Sequence, residues 1–574
     1  MNMRSFWWLA LAFTLTWIWL QWMQFSSAKV EQVAEQTATQ SETPMANSGT
    51  SSSMSAPSAV PGSIPGANAP APTGTAVPVA QSAMQQGQRI QVKTDNLDLI
   101  IDTAGGDIRE ARLLNYGATE DHSQPYQLLS DKGPLLYVVQ NGLAMQPDAT
   151  LPAPNHKAMY QASQTVYEMT GDTLVVPMTW EQDGIKVTKT YTFTKGKYLI
   201  DIGYQVENST SETWGGSLYS QLVRNRYNPD DNFMMYTYTG PVLYDGQADS
   251  KYVKHSFDDL NTDTVNGKSV MGGWGAMIQQ YFLTAIVPNQ EAQNNYYAKP
   301  VGDDRYAVGV VEPLVVVPSG STGLLTSQVY VGPEKQNVLA DIAPGLELTI
   351  DYGVLTILAE PIFWVLDKIH SVVGNWGVAI ILLTVLIKLI FYKLSETSYR
   401  SMARLKKFQP KLKQLKENYG DDKVIFQQKM MKLYKEEKIN PLGGCLPIFI
   451  QMPVFIALYW VLLYSVEMRQ APFMLWIQDL SAQDPYYILP VVMGITMFIQ
   501  QKLNPSAMMD EMQQKVMKLL PFIFTIFFLF FPAGLVLYWV VNNILSVTQQ
   551  WYITRQIERG DDIKAAKDNK IVKD

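Results

Sequence analysis

Residues 374–394 read GNWGVAIILLTVLIKLIFYKL, an apolar run that contains one cation well inside it. Its length is that of a membrane-spanning helix, which needs about 20 apolar residues. A lysine at the position of Lys388 costs about 2.5–3.5 kcal/mol on insertion scales, so its presence needs a reason. The side chain either reaches the membrane surface beside Lys393, or faces a wet cavity in a helix bundle and meets a negative group there. The rest of the chain favours the cavity.

Charge is sorted along the 574 residues. Residues 89–340 contain 18 Lys/Arg against 28 Asp/Glu, whereas residues 393–440 contain 13 against 6. Such sorting is typical of segments on opposite sides of a membrane, with the basic loop in the cytoplasm. The chain is therefore predicted to be a multi-domain membrane protein with segments on both sides of the membrane.

Cysteine and histidine are scarce. The single cysteine, Cys445, excludes an intramolecular disulfide and is interpreted as a small apolar residue at a helix start. No histidine follows His370, so the later part of the chain cannot hold a histidine-dependent catalytic triad or a histidine-ligated metal. We predict no catalytic residue, metal or cofactor.

Within the first 25 residues, a Trp-rich apolar segment runs from Phe6 to Phe25 and is preceded by Arg4. Its length favours an uncleaved signal-anchor with a cytoplasmic N-terminus, although the sequence Ser26-Ser27-Ala28 would also suit cleavage. Residues 26–88 are rich in Ser, Ala, Pro, Thr and Gly and cannot repay chain entropy by burial. They are predicted to be a flexible tether.

Residues 89–340 change to a period of two, as in IKVTKTYTFT at 185–194 and KYLIDIGYQVE at 197–207. Alternation of this kind, separated by turn residues, indicates half-buried strands. About 240 residues of short strands without a helical pattern predict one large β-sandwich.

Residues 341–371 are predicted to hold an interfacial helix at 354–370, lying along the outer membrane surface. Its expected apolar stripe consists of Leu355, Leu358, Ile362, Val365 and Ile369.

The remaining chain is predicted to complete a five-helix transmembrane bundle with a cytoplasmic hairpin. The apolar block 516–547 is too long for one crossing and is broken at Phe531-Pro532-Ala533-Gly534. Basic clusters on both sides of this block require an even number of crossings and a cytoplasmic C-terminus. The expected segments are span 2 at 372–394, a hairpin at 395–440 with helices 395–417 and 422–439, spans 3–6 within 441–554, and a basic tail at 555–574.

Few polar residues are expected inside the bundle, namely Thr384, Lys388, Gln451, Asn542, Asn543, Tyr459, Tyr464 and Tyr538. The five spans contain no carboxylate, which argues against an ion-coupled pump or transporter. A positively charged hollow open to the cytoplasm suits acceptance of polar or acidic peptide instead. Spans 3 and 5 are rich in Phe, Ile and Met, which is typical either of lipid-facing surface or of an adaptable contact for a passing apolar helix.

Three segments carry a resemblance to a known family: NPLGGCLPIFIQMPVFIALYW at 440–460, SVEMRQAPFMLWIQDLSAQDPYYILP at 465–490 and FPAGLVLYWVVNN at 531–543. They resemble the YidC/Oxa/Alb membrane protein insertases, and the order of anchor, tether, β domain and interfacial helix resembles the Gram-negative form. The resemblance implies a non-enzymatic insertase and folding chaperone, acting alone or with the Sec translocon. It also implies an inner-membrane location, with the tether and a β super-sandwich similar to galactose mutarotases in the periplasm.

Site residues follow from the same resemblance. Lys388 stands where the family has a groove arginine, a change that keeps the charge but loses the planar fork. The resemblance implies a substrate groove at Lys388, Thr384, Gln451 and Tyr538. It also implies a hydrophobic slide at Met452, Pro453, Phe455, Phe524 and Phe528.

The expected partners are nascent membrane proteins, ribosomes, the Sec translocon with its accessory subunits, and membrane lipid. DNA is not expected as a partner, and the chain is expected to be a monomer. The alternative function is a membrane-anchored periplasmic module that binds glycan or protein, with helices that serve as anchors.

Overall fold

The computed structural model describes residues 84–119, 123–228, 237–244, 246, 252–302, 304–419, 422–436, 446–503 and 511–571. The predicted signal-anchor at 1–25, nearly all of the tether and Cys445 lie outside the described residues.

Residues 89–333 form a two-sheet β-sandwich, as the period of two predicts. The strands are Arg89–Lys93 (β1), Leu97–Asp102 (β2), Asp107–Gly117 (β3), Pro125–Leu129 (β4), Tyr137–Met145 (β5), Gln161–Ala162 (β6), Val166–Glu168 (β7), Thr173–Gln182 (β8), Ile185–Thr194 (β9), Leu199–Asn208 (β10), Trp214–Asn225 (β11), Gly240–Tyr244 (β12), Tyr252–Lys254 (β13), Val265–Met271 (β14), Gly275–Gln279 (β15), Phe282–Val287 (β16), Gln293–Gly302 (β17), Arg305–Val311 (β18), Val315–Val317 (β19) and Thr322–Pro333 (β20).

The larger sheet has the order β14-β17-β18-β11-β5-β3-β2-β1-β7, with β19 beside β11 and β4 beside β3. The second sheet has the order β13-β12-β15-β16-β20-β10-β9-β8-β6. Pairing within it is antiparallel, with Ile202 of β10 opposite Tyr191 of β9. The inward residues of both sheets form one hydrophobic core, to which β11 contributes Trp214 and Leu222.

Strand β9 shows how strictly the alternation determines burial. Every second residue from Ile185 to Phe193 is buried, so Lys189 also faces the core and is fully buried. Its ammonium donates to the Gly105 carbonyl at 3.0 Å and lies 5.2 Å from the centre of the Tyr191 ring. Burial lowers the pKa of Lys189 to about 7, a shift that the nearby Asp107 carboxylate opposes.

Ten α-helices follow in the described residues after the last strand. They are Gln336–Ala340 (α1), Thr356–Val373 (α2), Trp376–Ile390 (α3), Tyr392–Lys407 (α4), Gln409–Tyr419 (α5), Lys423–Glu436 (α6), Leu446–Tyr464 (α7), Ile488–Leu503 (α8), Glu511–Phe528 (α9) and Ala533–Ile571 (α10). Helices α3, α7, α8, α9 and α10 correspond to the five predicted spans, and the predicted break near Pro532 separates α9 from α10.

Membrane-spanning length and composition are met by no single helix in the described residues. Helix α3 together with residues 392–403 of α4 meets both criteria as a bent pair, with an angle of 67° between its parts.

The second arm of the predicted hairpin lies at α6, whereas the first arm differs from the prediction. Asp422 caps α6, because its carboxylate accepts hydrogen bonds from the backbone of Val424 at 2.9 Å and Ile425 at 3.0 Å. The single helix expected at 395–417 is two helices, interrupted at Phe408. Pro410 explains the interruption, since proline disfavours helical backbone at the preceding residue and clashes with the preceding turn.

Helix α2 covers the predicted interfacial helix, but its most buried face is rotated from the expected stripe. Ala359, Phe363 and Leu366 are buried, because α2 packs against α3 and α7. The predicted Leu358 is 38% exposed, and Trp364 is 62% exposed. Helix α2 therefore has an apolar inner face and an apolar outer face.

The connection between α7 and α8 attaches the helices to the sandwich. Gln470 donates to the Gly117 carbonyl at 3.0 Å and accepts from the Gly117 backbone at 3.2 Å. The Arg469 guanidinium lies 5.0 Å from the centre of the Tyr126 ring, and Val466 belongs to the sandwich core. The ends of α7 and α8 that adjoin this connection are therefore held at the β domain.

Candidate functional site

Helix α3 starts at the end of the bundle that adjoins the β domain. Asn375 caps it by accepting a hydrogen bond from the Val378 backbone at 3.0 Å, and the same amide donates to the Phe473 carbonyl at 2.9 Å. Lys388 comes twelve residues after Trp376, which corresponds to about 18 Å along a helix. Its side chain therefore lies in the half of the bundle remote from the sandwich.

The Lys388 ammonium lies among polar groups from two other helices. It donates to Ser546 Oγ on α10 at 2.8 Å and to Gln451 Oε1 on α7 at 3.3 Å. The residue is partly exposed. We name Lys388, Gln451, Asn542 and Ser546 the lysine cluster.

The ammonium determines the direction of the hydrogen bonds in this cluster. A lysine can donate but not accept, so the Gln451 oxygen faces it and the Gln451 amide nitrogen points away. That nitrogen donates to Asn542 Oδ1 at 2.6 Å, and the Ser546 hydroxyl donates to the Asn542 carbonyl at 2.7 Å. Each neutral partner therefore turns an oxygen toward the charge.

The lysine cluster contains a cation without an anion. Within the part of the chain that the structure describes, no carboxylate lies within 4 Å of the Lys388 ammonium. Two of its three donors are engaged, and both acceptors are neutral. A carboxylate arriving beside Lys388 would meet an uncompensated positive charge in a partly desolvated place, where attraction exceeds that in water.

Of the four predicted groove residues, Lys388 and Gln451 belong to this cluster, Tyr538 contacts it and Thr384 does not. Gln451 is a member, and Tyr538 is hydrogen-bonded to Gln451. Thr384 lies one turn before Lys388, but its buried hydroxyl donates to the Ile380 carbonyl of its own helix at 2.7 Å. Thr384 therefore supports α3 internally.

Ser546 and Tyr399 were not identified from the sequence, although each contacts the cluster. The Tyr399 side chain on α4 is hydrogen-bonded to Ser546. Tyr538, Asn542, Ser546 and Gln550 are spaced four residues apart and so share one face of α10. That spacing in an otherwise apolar helix is a signal that could have identified Ser546.

The predicted slide residues occupy different depths. Phe455 lies 4.7 Å from Trp539 and Phe528 lies 5.6 Å from Trp539, both measured between ring centres. Phe528 is only 3% exposed, and Phe524 packs on it with a ring separation of 6.1 Å. These rings form an internal aromatic cluster between α7, α9 and α10.

The outer surface of the same helices presents other side chains. Met452 is 40% exposed on α7, where Pro453 follows it inside the helix. On α9 the exposed residues include Phe522 at 62% and Ile526 at 61%. The exposed apolar surface of α9 is therefore formed by residues adjacent to Phe524 and Phe528, and the predicted slide residue Phe528 is not part of it.

Metal-binding geometry is not found in the described residues, since no group of three or more His, Cys, Asp or Glu side chains there is arranged to hold an ion. The lysine cluster offers a charge and hydrogen-bond acceptors, which can attract and orient an anionic group.

Comparison with known proteins places both parts of the chain in one family. A family model described as the YidC periplasmic domain matches residues 89–365, and a model described as 60Kd inner membrane protein matches residues 368–560. A protein of Thioalkalivibrio sulfidiphilus named membrane protein insertase YidC is 51% identical over 483 residues, which cover 82% of this chain and 86% of the relative.

A protein of the same name from Methylococcus capsulatus is 49% identical over 486 residues, covering 83% of this chain and 88% of the relative. A crystal structure described as an active YidC insertase aligns with 83% of this chain and 94% of its own, at 18% identity and a TM-score of 0.39. The chain belongs to the YidC family of membrane protein insertases.

Proposed function

We propose that this chain inserts nascent membrane proteins into the inner membrane, and that the lysine cluster receives the polar, acidic end of the client. The observation that carries this proposal is the Lys388 ammonium, bonded to Gln451 and Ser546 and without a described carboxylate partner. Relatives that are 51% and 49% identical to this chain are named membrane protein insertases, which supports insertion as its activity.

The arrangement in the membrane follows from the β domain. The family model for residues 89–365 is described as periplasmic, and the sandwich holds the connection between α7 and α8 through Gln470. The opposite end of the bundle, with the α5–α6 hairpin and the end of α10, then faces the cytoplasm. In this topology the helices α3, α7, α8, α9 and α10 cross the membrane, and both termini are cytoplasmic.

Lys388 would then act from the cytoplasmic half of the membrane. A client enters with its acidic flank directed at the ammonium, whose attraction partly offsets the cost of removing the carboxylate from water. The apolar client segment moves alongside α7 and α9 into lipid, where burial of its surface provides the drive. No covalent step or nucleotide is required.

The client would leave along the outer aromatic and aliphatic surface of α9. Phe522 and Ile526 are exposed there, and Met452 is exposed on α7. The internal rings of Phe455, Phe524 and Phe528 would support this surface by packing beneath it. Ribosomes would deliver clients to the basic hairpin, and the Sec translocon would be the partner for larger clients.

Reconstitution of the full chain in proteoliposomes tests the proposal. A small client with an acidic flank should insert with the natural chain and with Lys388→Arg, and should insert poorly with Lys388→Met, which keeps the volume but removes the charge. A matched client with Asn in place of each Asp should depend little on Lys388. Equal insertion of the acidic client by all three proteins would contradict the proposal.

A further inference from the structure

A cavity of about 280 Å³ lies at the end of the bundle remote from the sandwich, between α4, α8 and α10. Its lining consists of Tyr399, Met402, Ala403, Leu503, Gln550, Trp551, Thr554 and Arg555. We name it the mouth cavity.

The mouth cavity adjoins the lysine cluster, and hydrogen bonds connect its lining to that cluster. Tyr399 lines the cavity and is hydrogen-bonded to Ser546, which accepts from Lys388 at 2.8 Å. Gln550 comes one turn after Ser546 on the same face of α10 and donates to the Leu503 carbonyl at 3.4 Å. Along this face of α10, the lysine cluster is therefore the next polar group inward from the cavity.

Among the residues that the structure describes, the lining has one charged member, the exposed Arg555. Its guanidinium lies 5.2 Å from the centre of the Trp551 ring, a cation–π contact that orients the plane of the group. Because the ring contacts the face of the guanidinium, the N–H groups at its edge point away from the ring. They can donate two parallel hydrogen bonds to a carboxylate. Tyr399 and Gln550 add neutral hydrogen-bonding groups to the walls.

We infer that the mouth cavity is a first binding site for the acidic flank of a client, which contacts Arg555 before it reaches Lys388. The inference rests on the proposed function, since it places a second cation on the route to the lysine cluster. The volume is slightly below that of pockets for drug-sized ligands, so it suits one or two client side chains. A lipid head group is the competing occupant and is an outcome of the test.

Crosslinking in the full chain tests the site. A photoreactive phenylalanine analogue replaces Met402, and proteoliposomes receive a stalled nascent chain whose flank contains Asp or, in the matched client, Asn. We expect crosslinks to the Asp flank, with yields about two- to fivefold lower for the Asn flank and for Arg555→Gln. Ala403→Phe, which fills the cavity, should also lower the yield. Tyr552→Gln is the control, because Tyr552 neighbours Trp551 but does not line the cavity.

Equal yields for both flanks, no effect of Arg555→Gln, or crosslinks to lipid in place of the client would each overturn the inference. Insertion by Lys388→Met is measured in the same vesicles to separate the two proposals. If Lys388→Met impairs insertion while the cavity variants leave crosslinking unchanged, the mouth cavity alone is refuted. If Lys388→Met inserts the acidic client normally, the proposed function itself fails.

Discussion

A charge exchange between Lys388 and the client is the most informative perturbation. Two unit charges 4 Å apart interact by about 1 kcal/mol in water and about 4 kcal/mol at an effective dielectric constant of about 20. Lys388 is partly exposed, so its attraction for a carboxylate lies between these values. Lys388→Glu replaces attraction with repulsion and so changes the interaction by at least about 2 kcal/mol, or roughly 30-fold in occupancy.

The lysine cluster can accommodate this substitution without losing its fold. A glutamate accepts hydrogen bonds, so Gln451 can turn its amide nitrogen inward and Ser546 can donate its hydroxyl. Thermal unfolding of the purified variant in detergent checks that its stability stays close to that of the natural chain. Any loss of insertion then reflects charge.

Insertion into proteoliposomes is the assay. Lys388→Glu should insert a client with an acidic flank at least about 30-fold less efficiently than the natural chain, with Lys388→Met between the two. Replacing the client's Asp by Lys should restore insertion by Lys388→Glu and impair insertion by the natural chain. If the exchange gives no rescue, or if both proteins insert both clients equally, direct attraction by Lys388 is refuted.

Three further predictions concern the rest of the molecule. Between pH 7 and 10.5 the unfolded chain binds more protons at Lys189 than the folded chain, so the free energy of unfolding rises with pH by up to about 1.4 kcal/mol per unit. Lys189→Met should lack this rise when unfolding is measured at pH 7 and 9; the same slope in both proteins would exclude a low pKa for Lys189. Gln470→Ala removes hydrogen bonds to Gly117 that are worth about 0.5–1.5 kcal/mol each. Hydrogen exchange at the Gly117 amide should therefore accelerate about tenfold or more. Unchanged exchange would show that Gln470 does not hold the sandwich. Phe528→Ala should lower the free energy of unfolding by about 3–5 kcal/mol, whereas the exposed control Phe522→Ala should lower it by less than about 0.5 kcal/mol. Thermal unfolding in detergent measures both. Equal losses would mean that the aromatic cluster does not stabilise the bundle.

The sequence predicts those features that depend on neighbouring residues. The alternation in β9 predicts which of its side chains enter the core, including Lys189. Pro532 is predicted as a break between two helices, because the effect of a proline acts within one turn. The boundary at Phe408 was missed, although Pro410 marks it.

Features that depend on distant residues could not be predicted in the same way. The order of strands in each sheet joins segments far apart, as where β10 pairs with both β9 and β20. The partners of Lys388 come from positions 63 and 158 residues away, so no local pattern identifies them. The burial of Phe528 likewise depends on Trp539 of the next helix. The charge is therefore readable from the sequence, whereas its surroundings require the fold.

Photocrosslinking from position 451 tests most directly whether the lysine cluster receives the client. A photoreactive analogue in place of Gln451 lies next to Lys388 and Asn542. With a stalled client, we expect crosslinks to its acidic flank that decrease when Lys388 is changed to Met and persist when it is changed to Arg. Crosslinks to lipid alone, or to the client at a yield independent of the charge at position 388, would contradict the account.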